Sequence, residues 1–237
     1  MQNTLSEDQV AAFYHDLFVD QQVIDFKTIA LPHFKHSQVV VDVGGGCGYF
    51  ASAIKETLNL RARVIDTDPL SVEAAKNNDV EALIGDALSP NPRGDEGVVC
   101  FNLILHHLVA DTDTDTQYLQ CKAMKSWLSE DVFIFVNEYI YESYFKYFSG
   151  WLIFQVTKSR ALSSIGRVLS KIFPSLKANT FGVGVRFRSQ REWRYIFDTC
   201  GLSVIEHAKG DREPVSLPRR LLFIKEIRRD SFLLRGR

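Results

Sequence analysis

Two spacings of apolar residues divide the chain. Residues 5–35 place Val10, Phe13, Tyr14, Leu17 and Phe18, then Val23, Ile24, Phe26, Ile29 and Ala30, at helical spacing before Pro32, which predicts lead-in helices. From residue 38 the pattern changes to short apolar runs, QVVVDV, ARVID, VEALIGD, GVVCFNLIL and DVFIFVNE. Helix-like segments lie among them: YFASAIKETL, PLSVEAAKNN and the stretch around TQYLQCKAMKSWL. Such alternation predicts parallel strands joined by right-handed crossovers.

The end of the chain reads differently. Ser189-Gln190-Arg191-Glu192 has the form of a capping box, with Trp193, Ile196, Phe197 and Cys200 on one helical face and a stop at Gly201. Two further strands, LSVIEHA and LLFIKEI, are joined by KGDREPVSLPRR with no helix predicted between them, which favours an antiparallel hairpin. Residues 139–188 fit neither pattern and read as a helical lid inserted after the fifth strand. The expectation is an α/β fold: a doubly wound, mostly parallel seven-stranded sheet with an antiparallel C-terminal hairpin. It forms one domain over 1–237, divided into lead-in helices (1–37), a ligand-binding core (38–138), the insertion (139–188) and the C-terminal helix and hairpin (189–237).

Composition agrees with one domain, since 237 residues with 46% hydrophobic and 24% charged content can bury a full core. The N-terminal sequence lacks a basic start and apolar run, and no stretch has the length of a bilayer-spanning helix, so a cytoplasmic protein is expected. Cys47, Cys100, Cys121 and Cys200 are scattered without a CxxC pair, from which reduced thiols and no metal site are expected. A net charge of -1 conceals a division: residues 1–137 hold 9 Lys+Arg and 20 Asp+Glu, and residues 138–237 hold 19 and 9. Such halves face different partners or each other.

Candidate chemistry begins at VVVDVGGGCGYFA, residues 39–51, where a strand runs into Gly44, Gly45, Gly46 and Gly48 and then a helix. Glycines there let a ligand approach main-chain N–H groups and a helix N-terminus at the carboxyl edge of a sheet. GxGxxG would need glycine where Tyr49 stands, and a Walker loop would need GK[ST], which is absent. What remains is Asp42-Val43-Gly44-Gly45-Gly46-Cys47-Gly48, followed by Asp66 at the end of the second strand and Gly85-Asp86-Ala87 at the end of the third. A carboxylate at Asp66 can accept from both hydroxyls of a ribose, and one at Asp86 from an adenine amine.

Through VVVDVGGGCGYFA, VIDTDP, GDA and VVCFNLILHHL, over roughly residues 38–137, the chain resembles the class I S-adenosylmethionine-dependent methyltransferases. The resemblance implies a Rossmann-like methyltransferase fold with S-adenosyl-L-methionine as cofactor. It places Asp42 and the glycines around the methionine part, Asp66 on the ribose and Asp86 with Ala87 at the adenine, with Asn102 also in the cofactor site. Asp68 competes for the ribose, but its place before Pro69 favours a helix cap.

A sulfonium methyl is already electrophilic, so the protein must align the acceptor, exclude water and, for a hydroxyl acceptor, remove a proton. His106 and His107 lie just past the fourth strand and are the candidate catalytic residues, His106 as base. DVGGG resembles plant phenolic O-methyltransferases, whose catalytic His aligns best with His106. Those enzymes continue with Asp-Trp where this chain has His107-Leu108, and the lead-in is too short for their dimerisation domain. Alternating Asp111, Asp113 and Asp115 read as caps and solvated loop, so no metal is assigned.

The insertion carries Lys146, Lys158, Arg160, Arg167, Lys171, Lys177, Arg186 and Arg188 against the single acid Glu142. Its Tyr141, Tyr144, Phe145, Tyr147, Phe148, Trp151 and Phe154 can line a pocket for a small aromatic or apolar acceptor, with Arg or Lys holding an anionic group. Helical spacing of Tyr144, Phe148, Trp151 and Gln155 equally fits a core stripe. Nucleic acid and a membrane surface are the alternative partners of a basic aromatic segment, implying a tRNA, rRNA, lipid or quinone acceptor. A cofactor-binding protein without turnover is the remaining alternative. Acceptor identity, the atom methylated and oligomeric state are not written in the sequence.

Overall fold

A computed structural model of the chain describes residues 16–159 and 184–237. It holds a seven-stranded sheet in the order β3-β2-β1-β4-β5-β7-β6. The strands are β1 Val39–Val43, β2 Arg61–Asp66, β3 Glu81–Ile84, β4 Glu96–Asn102, β5 Phe133–Ser143, β6 Leu202–Lys209 and β7 Ile224–Gly236. β1 to β5 pair in parallel, and β7 runs antiparallel between β5 and β6. The described helices are α1 Asp16–Asp25, α2 Tyr49–Leu58, α3 Pro69–Asn77, α4 Asp113–Lys125, α5 Phe148–Lys158, α6 Gln190–Thr199 and α7 Leu217–Leu221.

Strand order reverses at β1, so the glycine loop after β1 and the loop after β4 open side by side at the carboxyl edge, where α/β sheets leave a crevice. Both faces of the sheet are covered because the strands are apolar on both sides. On one face Val41, Phe101, Val136 and Phe232 pack under α4 and α6 through Met124, Trp193 and Phe197. On the other, Val40, Cys100, Phe135 and Leu233 pack under α2 and the lead-in through Phe50, Ile54, Phe26 and Ile29. α6 starts at the expected capping box, with the Ser189 N–H donating to the Glu192 carboxylate at 2.8 Å and the Glu192 N–H to the Ser189 hydroxyl at 3.2 Å.

A buried polar chain docks the lead-in on the sheet. Gln22 Nε2 donates to Asn137 Oδ1 at 3.2 Å, Asn137 Nδ2 to Ser231 Oγ at 2.8 Å, and Ser231 Oγ to Asp25 Oδ2 at 2.6 Å. These bonds tie α1 to β5 and β7. Val10, Phe13 and Tyr14 of the expected lead-in lie outside the described residues, as do Arg160, Arg167, Lys171 and Lys177 of the insertion.

Three sequence expectations need correction. The link between the last two strands does hold a helix, α7, started by Pro218 at its second position. β7 continues to Gly236, well past LLFIKEI, because Asp230 to Leu234 keep pairing with β5 and β6. Cys121 of α4 and Cys200 at the end of α6 form a disulfide, their Cα atoms 5.5 Å apart, where four reduced thiols were expected. A separation of 79 residues hid that pair from spacing arguments.

Candidate active site

The glycine loop meets its neighbours closely and leaves space above itself. At Gly44, φ is +70° and a Cβ would stand 2.0 Å from Ile104 Cδ1, so the position needs glycine. At Gly46, φ is +53° and a Cβ would meet nothing within 4 Å, so here the loop faces open room. The Gly46 N–H donates to Asp66 Oδ2 at 2.9 Å, and the Asp68 N–H to Asp66 Oδ1 at 2.9 Å. Asp66 is thereby fixed at the end of β2, and each carboxylate oxygen retains a lone pair for a further donor. Asp68 caps α3, accepting the Ser71 N–H at 3.0 Å and its hydroxyl at 2.7 Å.

Asp42 is buried beneath the loop and accepts from Asn102 Nδ2 at 3.0 Å. Burial pushes its carboxyl up to about 7, the Asn102 bond opposes this, and the charge of Asp66 adds to it. Asn102 Oδ1 is buried with no hydrogen-bond partner. Asp86 is exposed after β3 and accepts the Leu88 N–H at 2.8 Å, closing a turn, while Ala87 beside it is buried.

His106 and His107 form a single 3₁₀ turn, Leu105–His107, past β4. His106 Nδ1 lies 2.7 Å from Glu138 Oε2, and the His106 main-chain N–H donates to Glu138 Oε1 at 3.2 Å. Both side chains are buried. A carboxylate at that distance accepts from Nδ1–H, so Nε2 is the ring nitrogen not engaged by Glu138. Around this pair Phe187 stacks on His106 at 4.9 Å and on Tyr141 at 4.3 Å, with Tyr139 edge-on to both His106 and Phe187. Burial raises both tyrosine hydroxyls above their ordinary value, so these phenols stay neutral. His107 sits 4.1 Å from His106 and is held well below the ordinary imidazole value by burial and then by His106.

Glu138, Tyr139 and Phe187 escaped the sequence reading. One signal was available for Glu138: along β5 it shares the face of Ile134, Val136 and Ile140, and a lone acid among core-facing positions calls for a partner. Nothing equivalent marks Phe187, whose neighbours come from distant elements.

Two basic residues of the insertion, Arg186 and Arg188, are held by other side chains. Arg186 Nε donates to Asp113 at 2.9 Å and its NH2 group to Glu192 at 2.7 Å; Arg188 donates to Gln120 at 3.0 Å and to Asp113 at 3.1 Å. Both guanidinium groups are buried, and they pin residues 184–189 to α4 and α6. Thr112 caps α4 through Asp115, and Asp111 pairs with Lys158. Among the described residues no three His, Cys, Asp or Glu side chains gather as a metal site.

Tyr144, Phe148 and Trp151 are exposed, which excludes the core stripe, although Phe154 is buried. They line an open groove of about 910 Å³ with Asp113, Arg186 and Glu192. The groove touches neither the glycine loop nor His106. The carboxyl edge of β1, β2 and β4 is the better candidate for chemistry: Asn102 holds Asp42 there, Gly44 abuts Ile104 just ahead of the His106 turn, and the groove's Asp113, Arg186 and Glu192 are already paired.

No protein-family profile matches this chain, and no curated protein sequence does. Solved structures match over nearly its whole length. Geranyl diphosphate C-methyltransferase from Streptomyces coelicolor A3(2), in complex with Mg2+, geranyl diphosphate and S-adenosyl-L-homocysteine, aligns with TM-score 0.58 and 11% identity over 98% of this chain and 84% of its own. MccD protein aligns at 0.57 and 10% over 94% and 97%. A TehB-like methyltransferase from Corynebacterium glutamicum aligns at 0.52 and 12% over 97% and 94%. Identity this low establishes the architecture: the chain has the fold of the class I S-adenosylmethionine-dependent methyltransferases.

Proposed function

We propose that this chain transfers a methyl group from S-adenosyl-L-methionine to a hydroxyl oxygen of a small, flat, apolar acceptor. The observation that carries the reading is the buried His106–Glu138 pair beside the glycine loop and against the Tyr139–Tyr141–Phe187 cluster.

The residues present fit the cofactor. Open space over Gly46, the spare lone pairs of Asp66, the buried Asp42 and the unpartnered Asn102 Oδ1 form one continuous set of groups for an adenosine with a cationic amino-acid tail. Asp66 would hold the ribose, Asp42 and Asn102 the tail, and Ala87 with Asp86 the adenine edge. The cofactor supplies the methyl group on an electrophilic sulfonium. Glu138 orients His106, so that Nε2 receives the proton of the acceptor hydroxyl as its oxygen attacks. Phe187 and the neutral Tyr139 and Tyr141 offer a flat wall that positions the acceptor and excludes water. Arg186 and Arg188 are committed to Asp113 and Glu192, so the flat aromatic faces are what these residues offer the acceptor.

Calorimetry with S-adenosylmethionine and S-adenosylhomocysteine tests the first half; no affinity for either overturns the reading. Incubation with pooled phenols and other hydroxylated metabolites, read as cofactor-dependent gain of one methyl by mass, tests the second. With an acceptor in hand, His106→Gln is expected to lower kcat by about 100-fold or more with cofactor affinity unchanged. Full turnover by that variant would remove the base.

A further inference from the structure

Eight of the fifteen large hydrophobic side chains that stand exposed among the described residues fall in two stretches, 144–151 and 217–223. The stretches form one surface. The Tyr144 N–H donates to the Phe223 carbonyl at 3.0 Å, and the Phe223 ring packs edge-on against Phe145 at 5.5 Å and Phe148 at 5.2 Å. Beside them, α7 projects Leu217 and Leu221, 77% and 79% exposed and one helical turn apart. Segments 143–148 and 216–225 contain Lys146, Arg219, Arg220 and Lys225 and not one Asp or Glu. Lys146 and Phe223 both hold left-handed backbone, φ +41° and +61°, which is uncommon for such residues.

We propose that this face docks on an anionic lipid bilayer, with Leu217, Leu221, Phe145 and Trp151 entering the headgroup boundary and Lys146, Arg220 and Lys225 lying among the phosphates. Apolar tips with cations beside them complement that interface, and the carboxylates nearest Trp151, Asp113 and Glu192, are engaged by Arg186. Docking does not depend on the reaction assigned to the site. The fold does place the helix near the site: α7 packs on β7, whose Arg229 and Ile227 pair with Tyr139 and Tyr141 of the aromatic wall. Among the described residues no helix is long and apolar enough to cross a membrane, so the contact is interfacial.

Flotation of the full chain with vesicles of phosphatidylcholine, alone or with about one third phosphatidylglycerol, tests the assignment. Binding is expected at least tenfold stronger to the anionic vesicles and weakened by salt. A Leu217→Ser/Leu221→Ser variant, which changes exposed side chains only and keeps the charge, is expected to lose tenfold or more while its thermal unfolding is unchanged. Three results overturn the proposal: no flotation, equal flotation of the variant, or a Leu217- and Leu221-dependent dimer in sedimentation without vesicle binding. Retention on single-stranded RNA in place of vesicles would do the same.

Discussion

Asp42 shows how a single side chain is kept in an uncomfortable place. Its carboxyl stands at about 7 in the fold against 3.8 for the unperturbed group, so between those values the folded chain holds a proton that the unfolded chain has released. Stability is therefore expected to fall as pH rises from about 4 to 7, with the whole penalty present above 7. Asp42→Asn should flatten that slope and stabilise the fold at pH 8 by about 2 kcal/mol in chemical denaturation. The same variant should weaken S-adenosylmethionine at least tenfold by calorimetry, because a cationic tail needs the ionised form; wild-type affinity should rise with pH through about 7 for the same reason. Glu138 acts through His106. Glu138→Gln, which keeps the shape, is expected to lower kcat about tenfold or more while KM for the acceptor stays within about twofold. The glycine loop, Asp42 and Asp66 were legible in the sequence because a steric demand for glycine and a strand-end acid are local. Glu138 and Phe187 were not, since their meaning lies in partners 32 and 81 residues away.

At the scale of elements, the returning segment 184–189 depends on charges supplied by its neighbours. Asp113 accepts from both Arg186 and Arg188; burial alone would raise its carboxyl, but the two guanidinium groups hold it below the ordinary aspartate value. A lowered carboxylate contributes stability above its unfolded value and loses it as pH falls through the folded one. Asp113→Asn leaves Glu192 as the one carboxylate for two buried cations, so a loss of about 2 kcal/mol is expected at pH 7, shrinking toward acid, by urea denaturation. Phe197→Ala removes a fully buried ring between α6 and Phe232 and should cost about 3–4 kcal/mol independent of pH. Strand and helix periods made β1 to β5 and α6 readable, down to the capping box. α7 was missed because five residues, LPRRL, carry no period, and the reach of β7 was missed because RRDS reads as polar surface. Arg228 and Asp230 are in fact buried against each other at 2.9 Å.

Across the whole molecule, the two oppositely charged halves meet where Asp111 and Asp113 of the first hold Lys158, Arg186 and Arg188 of the second, and Arg229 lies 4.0 Å over the ring of Phe18. Lys146, Arg220 and Lys225 beside the exposed apolar side chains of α7 are what point to a partner, rather than the net charge. The order of the sheet also bears on how the chain is made. β6 leaves the ribosome before β7, yet β7 is its one sheet neighbour and also the strand that covers β5. While residues 210–236 are still being synthesised, two hydrogen-bonding edges stand open at once, and only the final insertion of one long strand closes both. A nascent chain stalled at Gly210 should therefore be digested by protease and bound by chaperones, whereas one extended past Gly236 and free of the exit tunnel should resist.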